Sequence, residues 1–263
     1  MTSTARPNHR MLIRFAALAD IHGNADALRA VLADIDAFGV SDLVVLRDHF
    51  SGPLDAAGTA TLLHSRQLSA IRGNHDRYLI ETPRHEMHPS DAVAYDQLST
   101  RDLSWLRSLP ATLTIDDILL CHATPTDDET YWLETLTPDG TPHAAPLNLI
   151  TPHVTDLPHS LILCAHTHVP RSIRIPDGPL IVNPGSVGCP AYDDIHPVPH
   201  IMQTGTPDAS YALLERGPGG WHATFRTLPY DASRMADAAR GHGRADWAQA
   251  VTTGWLSPAA NSR

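Results

Sequence analysis

Along this chain, short uninterrupted apolar runs alternate with stretches in which apolar residues recur every three or four positions. Leu12 to Ala19 and Leu43 to Leu46 are runs of the first kind, bounded by polar residues, and they predict buried strands. Between them Leu28, Val31, Leu32 and Ile35 recur at helical spacing, Asn24 stands where a capping side chain belongs, and Gly39 where a helix ends. Strand, helix and strand at this spacing predict a parallel, right-handed βαβ unit. A helix over about Ala56–Ser65 and a short strand into Arg72 extend it. From Tyr78 to Pro110 the pattern is helical and polar, with starts at Ser90-Asp91 and Ser99-Thr100. Ala111–Ile115 and Ile118–Cys121 read as a hairpin, Leu161–Cys164 as a buried strand, and Arg171–Ile175 with Leu180–Val182 as a second hairpin. Tyr211–Glu215 and Trp221–Leu228 form a late hairpin, and helices near Ser233–Arg240 and Ala245–Thr252 close the pattern.

No internal repeat interrupts this order, so residues 11–256 are expected to form one domain, with a loose leader over 1–10 and a tail over 257–263. The Pro-, Thr- and Asp-rich stretch 124–157 reads as a loop with short helices. Such an insert is either a lid facing the substrate or a surface elaboration.

Composition narrows the function. The chain has 263 residues, 42% of them hydrophobic, which fits an ordinary globular protein. Its net charge is −10 and all 19 basic residues are Arg. An acidic chain without a basic stripe argues against general binding to a nucleic-acid backbone, though not against a local cationic site. The three cysteines, Cys121, Cys164 and Cys189, lie outside CxxC spacing and predict no disulfide framework. No apolar run approaches the roughly 18 residues of a membrane span, and no signal-peptide core is visible, so the expected location is cytoplasmic.

The chemistry gathers where strands are expected to end. Those ends carry Asp20 and His22, Asp48, Asn74, His122, and His166 with His168. In open parallel sheets, sites lie at the carboxyl ends of strands. In an extended chain, residues i and i+2 point the same way, so Asp20/His22 and His166/His168 would each aim two ligands at one point. Imidazoles, carboxylates and one amide suit Mn, Fe, Zn or Co better than Ca. Seven ligands exceed one tetrahedral ion and suit two that share a carboxylate. Two such ions make a positive hole that would hold a phosphoryl group and activate a water between them as nucleophile. His75 lies beside a ligand without being needed as one. It is expected to be the general acid for the leaving oxygen, oriented by Asp76. Gly73 is expected to permit a tight turn with positive φ before these residues.

These residues, Asp20-Ile21-His22, Arg47-Asp48, Gly73-Asn74-His75-Asp76, Cys121-His122 and Ala165-His166-Thr167-His168, resemble in order the pattern of the calcineurin-like metallophosphoesterase superfamily. The resemblance extends to its small bacterial phosphodiesterase branch, which includes dinucleoside tetraphosphate hydrolases. It carries Ser51-Gly52-Pro53, Asn183 to Gly188 and Ala191 to Asp194 as shared features. It implies a four-layer α/β/β/α sandwich with mixed sheets and a dinuclear centre. Asp20, His22 and His168 would hold one ion, Asn74, His122 and His166 the other, and Asp48 would bridge them. It also implies a hydrolase of small nucleotide-like phosphodiesters or dinucleoside polyphosphates, with phosphoprotein phosphatase or a weakened, non-catalytic homologue as alternatives.

Three positions depart from the pattern: Arg47, Ala123 and Ala165 stand where the family has glycine. Arg47 would reach a substrate phosphate, point away, or crowd the ions. Asn24, His49 and Arg77 are further candidates for contacting substrate. Competing readings are a helix cap for Asn24, a solvated loop residue for His49 and a surface ion pair for Arg77. Asn183 to Gly188 would form either an anion-binding nest or a tight turn.

Overall fold

The computed structural model describes residues 13–257; the expected leader, and the tail from 258 on, lie outside the described residues. The predicted βαβ unit is β1 (Arg14–Ala19), α1 (Ala25–Ala37) and β2 (Leu43–Leu46). The chain continues through α2 (Ala56–His64), β3 (Ser69–Ile71), α3 (Asn74–Glu81), α4 (Pro89–Gln97) and α5 (Thr100–Ser108). Next come β4 (Leu113–Ile115), β5 (Ile118–Leu120), β6 (Glu134–Leu136), β7 (Pro142–Ala144), the short α6 (Leu147–Ile150) and β8 (Leu161–Leu163). β9 (Arg171–Arg174), β10 (Leu180–Asn183), β11 (Ala191–Asp194), β12 (His200–Gln203), β13 (Ala209–Gly217), β14 (Gly220–Leu228), α7 (Ser233–Gly241) and α8 (Ala245–Thr253) complete it.

Two five-stranded mixed sheets result, in the orders β14-β13-β1-β2-β3 and β4-β5-β8-β10-β9, with β1, β2 and β3 parallel in one and β5, β8 and β10 parallel in the other. The two-residue period of a strand decides what each face does. On β1, Phe15, Ala17 and Ala19 pack between the sheets against Leu120, Leu163 and Val182. Ala16 and Leu18 face outward, under Leu28, Val31 and Ile35 of α1. Asn24 caps α1 by accepting from the N–H of Ala27 at 3.1 Å, and Asp55 caps α2 through Gly58.

The outer face of the second sheet is covered by the 124–157 segment. Trp132, Leu133, Ala145, Ile150 and Val154 pack on Leu119, Cys121, Ile162 and Ile181. The fourth layer of the α/β/β/α sandwich is therefore thin, one short helix and irregular chain: these few apolar residues seal the sheet, while much of the rest of the insert is exposed and Glu129 to Tyr131 line a cavity beside the centre. The insert also holds the small β6–β7 ribbon, which the apolar pattern does not predict; nor does it predict the β11–β12 ribbon. No described helix is long and apolar enough to cross a membrane.

Candidate metal centre

The parallel strands of both sheets deliver their following loops to one edge. Asp20 and His22 follow β1, Arg47 and Asp48 follow β2, Asn74 follows β3, His122 follows β5, and His166 and His168 follow β8. None of the paired ligands is aimed by extended backbone. Asp20, His22, Asp48, His166 and His168 all have positive φ, between 49° and 73°. With Arg47 they are six of the nine non-glycine residues of positive φ among the described residues. The expected i, i+2 aim along an extended strand is thus corrected: left-handed turns just past the strand ends aim these side chains. Strain of this kind persists where surrounding structure over-determines it.

Two groups of ligand atoms converge. One atom each from Asp20, His22 and His168 lie within 4.8 Å of one another, and so do atoms of Asp20, Asp48 and His122. His22 Nδ1 donates to the carbonyl of Ser51 at 2.9 Å, and His168 Nδ1 donates to that of Cys189 at 2.6 Å. Both bonds fix the tautomer and leave a lone pair on each Nε2, and the two Nε2 atoms face each other 3.3 Å apart. His122 Nε2 lies 2.9 Å from Asn74 Oδ1 and 3.3 Å from Asp48 Oδ2. Asp48 Oδ2 is also 4.0 Å from His22 Nε2, so this oxygen stands between the two groups. His166 flanks the second group, its ring 4.8 Å from that of His122, and donates through Nε2 to the Glu129 carbonyl at 2.8 Å, which leaves the lone pair on Nδ1.

This arrangement fits divalent cations. Both carboxylate oxygens of Asp20 and Oδ2 of Asp48 are buried without a hydrogen-bond partner among the described residues. Burying such oxygens unpaired is costly, and facing lone pairs repel. Burial and the nearby Asp48 push the Asp20 carboxyl well above the usual carboxylate range. Burial likewise opposes the charge of Asp48, but His122, His75 and His22 hold its pKa well below the usual value. Burial drives His22 down to about 4 and His166 to about 3, which keeps them neutral and free to donate electron pairs.

A calcineurin-like phosphoesterase superfamily domain model matches residues 13–204. The chain belongs to that superfamily. This phosphoesterase, a hydrolase of phosphoester bonds, is 25% identical over 202 residues to an uncharacterized protein of Methanocaldococcus jannaschii, covering 66% of this chain and 76% of the relative. A metallophosphoesterase from Sphaerobacter thermophilus shares its fold with a TM-score of 0.70 at 24% identity, over 92% of this chain and 99% of that one. A hypothetical protein from Pyrococcus horikoshii also superposes with a TM-score of 0.70, at 18% identity over 93% and 99% of the two chains.

Other expected residues of the phosphoesterase are placed differently. Gly73 has φ −98°, so it is not needed for a left-handed turn; a Cβ there would meet Asp48 Oδ1 at 2.1 Å. Asp76 does not orient His75. Its carboxylate accepts the N–H groups of Asp48, His49 and Gly73 at 3.0–3.1 Å and Nδ1 of His49 at 2.8 Å, so it braces the turn that presents Asp48. His75 Nδ1 instead lies 3.1 Å from Ser51 Oγ and 3.6 Å from Asp91 Oδ1. Burial opposes charge on His75, but Asp91 and Asp48 outweigh it and lift its pKa to about 9.

None of the four expected substrate contacts is free in the cleft. Asn24 is fully buried and spends its amide on Ala27, Gly188 and Tyr230. His49 is buried against Trp105 and tied to Asp76. Arg77 makes a bidentate pair with Asp128, at 3.0 Å to each oxygen, and a further bond to Glu129. Arg47 is 2% exposed and does not line the cavity over the site. The Asn183–Gly188 stretch makes a brace, not an anion nest. Val187 and Gly188 donate to the carbonyls of Ala19 and Asp20, and Ser186 Oγ to that of Asp20. The cysteines are free and buried.

A cavity of about 360 Å³ opens over the centre, with His22, Asp48, Asn74, His75, His166 and His168 at its base. Tyr78, Tyr192, Arg244 and Trp247 stand on its walls. A second cavity, about 650 Å³, lies toward the insert and shares Asn74, Tyr78, His166 and Asp194 with the first. Arg244 immediately precedes α8 and Trp247 lies on it, and nothing in the apolar pattern singles them out.

Proposed function

We propose that this phosphoesterase hydrolyses small nucleotide-like phosphodiesters or dinucleoside polyphosphates. Its seven candidate ligands would divide as the resemblance implies: Asp20, His22 and His168 for one divalent ion, Asn74, His122 and His166 for the other, Asp48 between them. Bound there, the ions supply Lewis acidity and lower the pKa of water. The chain's own groups do the rest. Asp48 and Asp20 set the charge of the hole, and the neutral imidazoles hold its shape. His75, 37% exposed at the side chain, presents its ring to the cavity and donates a proton to the departing oxygen.

The observation that carries the diester reading is the pair of cavities meeting at the ligands. A phosphorus with two substituents has room for one on either side of Asn74 and His166. The first cavity has aromatic walls, Tyr192 and Trp247, suited to a nucleobase; Arg244 beside them is already paired with Asp246. Its size is that of a small-ligand site, which disfavours a phosphoprotein surface.

Turnover of a bis-aryl phosphate, an aryl monophosphate, cyclic nucleotides, dinucleoside polyphosphates and a phosphopeptide, each with Mn, Zn, Mg or none, tests this reading. Diesters or dinucleoside polyphosphates should lead, with a divalent ion required. Activity on the phosphopeptide alone would overturn it. His75→Ala should cut turnover by roughly 10²–10⁴-fold, more for poor leaving groups, while bound metal is unchanged.

A further inference from the structure

We propose that Asp91, acting through the hydroxyl of Ser51, is the positioning residue for His75; this rests on His75 being the proton donor. Asp91 lies on the first turn of α4, outside every motif that marks the centre, and is 4% exposed. The Ser51 hydroxyl has one proton and donates it to Asp91 Oδ1, since an ionised carboxylate can only accept. His75 and the Ser51 hydroxyl hold the Asp91 carboxyl below its ordinary pKa against the cost of burial, so it is ionised at neutral pH. The lone pairs of Ser51 Oγ therefore face His75 Nδ1, 3.1 Å away, and that nitrogen must carry hydrogen. Asp91 Oδ1, 3.6 Å from the same nitrogen, adds its charge.

With Nδ1–H held from behind, Nε2 is the ring nitrogen left for a substrate oxygen. Backbone reinforces the pose: the His75 N–H donates to Asp48 Oδ1 at 3.2 Å. Ser51 has a second part to play. Its carbonyl accepts His22 Nδ1, so one residue fixes both a candidate ligand and the proton donor. The carboxylate nearest in sequence, Asp76, is turned to three N–H groups and to His49 instead of to His75.

A carboxylate that only capped α4 would affect stability and all substrates alike. A positioning role is read from leaving groups. Across a phosphodiester series from nitrophenyl to alkyl leaving groups, Asp91→Asn should lower kcat roughly 10–100-fold for the alkyl members. It should change the nitrophenyl members by less than about threefold, because a good leaving group needs little protonation. KM and bound Mn should stay as in the wild type. His75→Ala should show the same selectivity more strongly, and the double variant should add nothing to it.

Equal losses across the series in His75→Ala would remove His75 as donor, and the positioning role with it. Selective loss in His75→Ala without selective loss in Asp91→Asn would leave His75 standing and overturn Asp91. Ser51→Ala runs the same test if Asp91→Asn does not fold, and there too an unselective loss refutes the relay.

Discussion

Arg47 buries a guanidinium beside the site. It has φ +74° and is 2% exposed, and its Nε finds no hydrogen-bond partner among the described residues. A left-handed non-glycine residue costs about 1–2 kcal/mol, and a glycine at 47 would carry no such cost. Burial lowers the Arg47 pKa only to about 10, so it stays charged at neutral pH next to Asp48. A fixed cation there opposes any ion drawn to Asp48. Arg47→Gly should tighten divalent-ion binding by roughly tenfold or more, read by titration calorimetry. Arg47→Met keeps the bulk and the strain but not the charge, and should show the same gain. Unchanged affinity in both would mean the charge is not felt at Asp48. The candidate ligands were legible in the sequence because each directly follows a recognisable strand. The partner of His75 was not. Once Asn74–Glu81 is a helix, adjacent residues point about 100° apart, so Asp76 cannot back the ring of its neighbour. Ser51 and Asp91 meet His75 only through tertiary packing, and no local pattern announces that.

At the scale of elements, strong periodicity was readable and weak periodicity was not. β1, β2, α1 and the β13–β14 hairpin have clear apolar faces. β11 contains Asp193 and Asp194, and β7 begins with Pro142, residues that argue against strands until neighbouring chain pairs with them. The attachment of α1 to its sheet is a side-chain matter. Asp34 on α1 accepts from Tyr211 Oη on β13 at 2.6 Å and from Arg226 on β14 at 2.5 and 3.0 Å. Arg226 above all, with Tyr211, holds the Asp34 carboxyl below its usual pKa despite partial burial. A depressed folded pKa contributes stability that is complete above the unfolded value near 4 and is lost as pH falls through the folded one. Asp34→Asn should therefore cost about 1–3 kcal/mol at pH 7. The difference in urea midpoint from wild type should shrink as pH drops below about 4. A difference that is constant across that range would show that the ion pair contributes nothing to it.

At the scale of the whole molecule, the centre lies where two sheets meet. Asp20, Asp48 and Asn74 come from the loops of one sheet, and His122, His166 and His168 from those of the other. The apolar layer between the sheets holds them together over most of their area, but at this edge the contacts are buried carboxylates and imidazoles with unpaired atoms. Ions bound here would join the sheets where hydrophobic packing gives out, so ion binding and stability should be linked. A ligand present at a hundred times its Kd and bound only by the folded state stabilises by about 2.7 kcal/mol. For a chain of this size that corresponds to roughly 5–10 °C in Tm. Adding Mn to chelator-treated protein should raise Tm by that order, and renewed chelation should reverse it. Asp48→Asn removes the charge between the two ligand groups and should abolish most of the rise. Asp34→Asn weakens a different part of the same sheet and should start lower yet rise as much as wild type. If Mn leaves Tm unmoved, or moves Asp48→Asn as far as wild type, the sheets are not joined through this centre. A parallel loss in Asp34→Asn would instead mark the response as general fragility, because that carboxylate is bound to Tyr211 and Arg226 and to none of the candidate ligands.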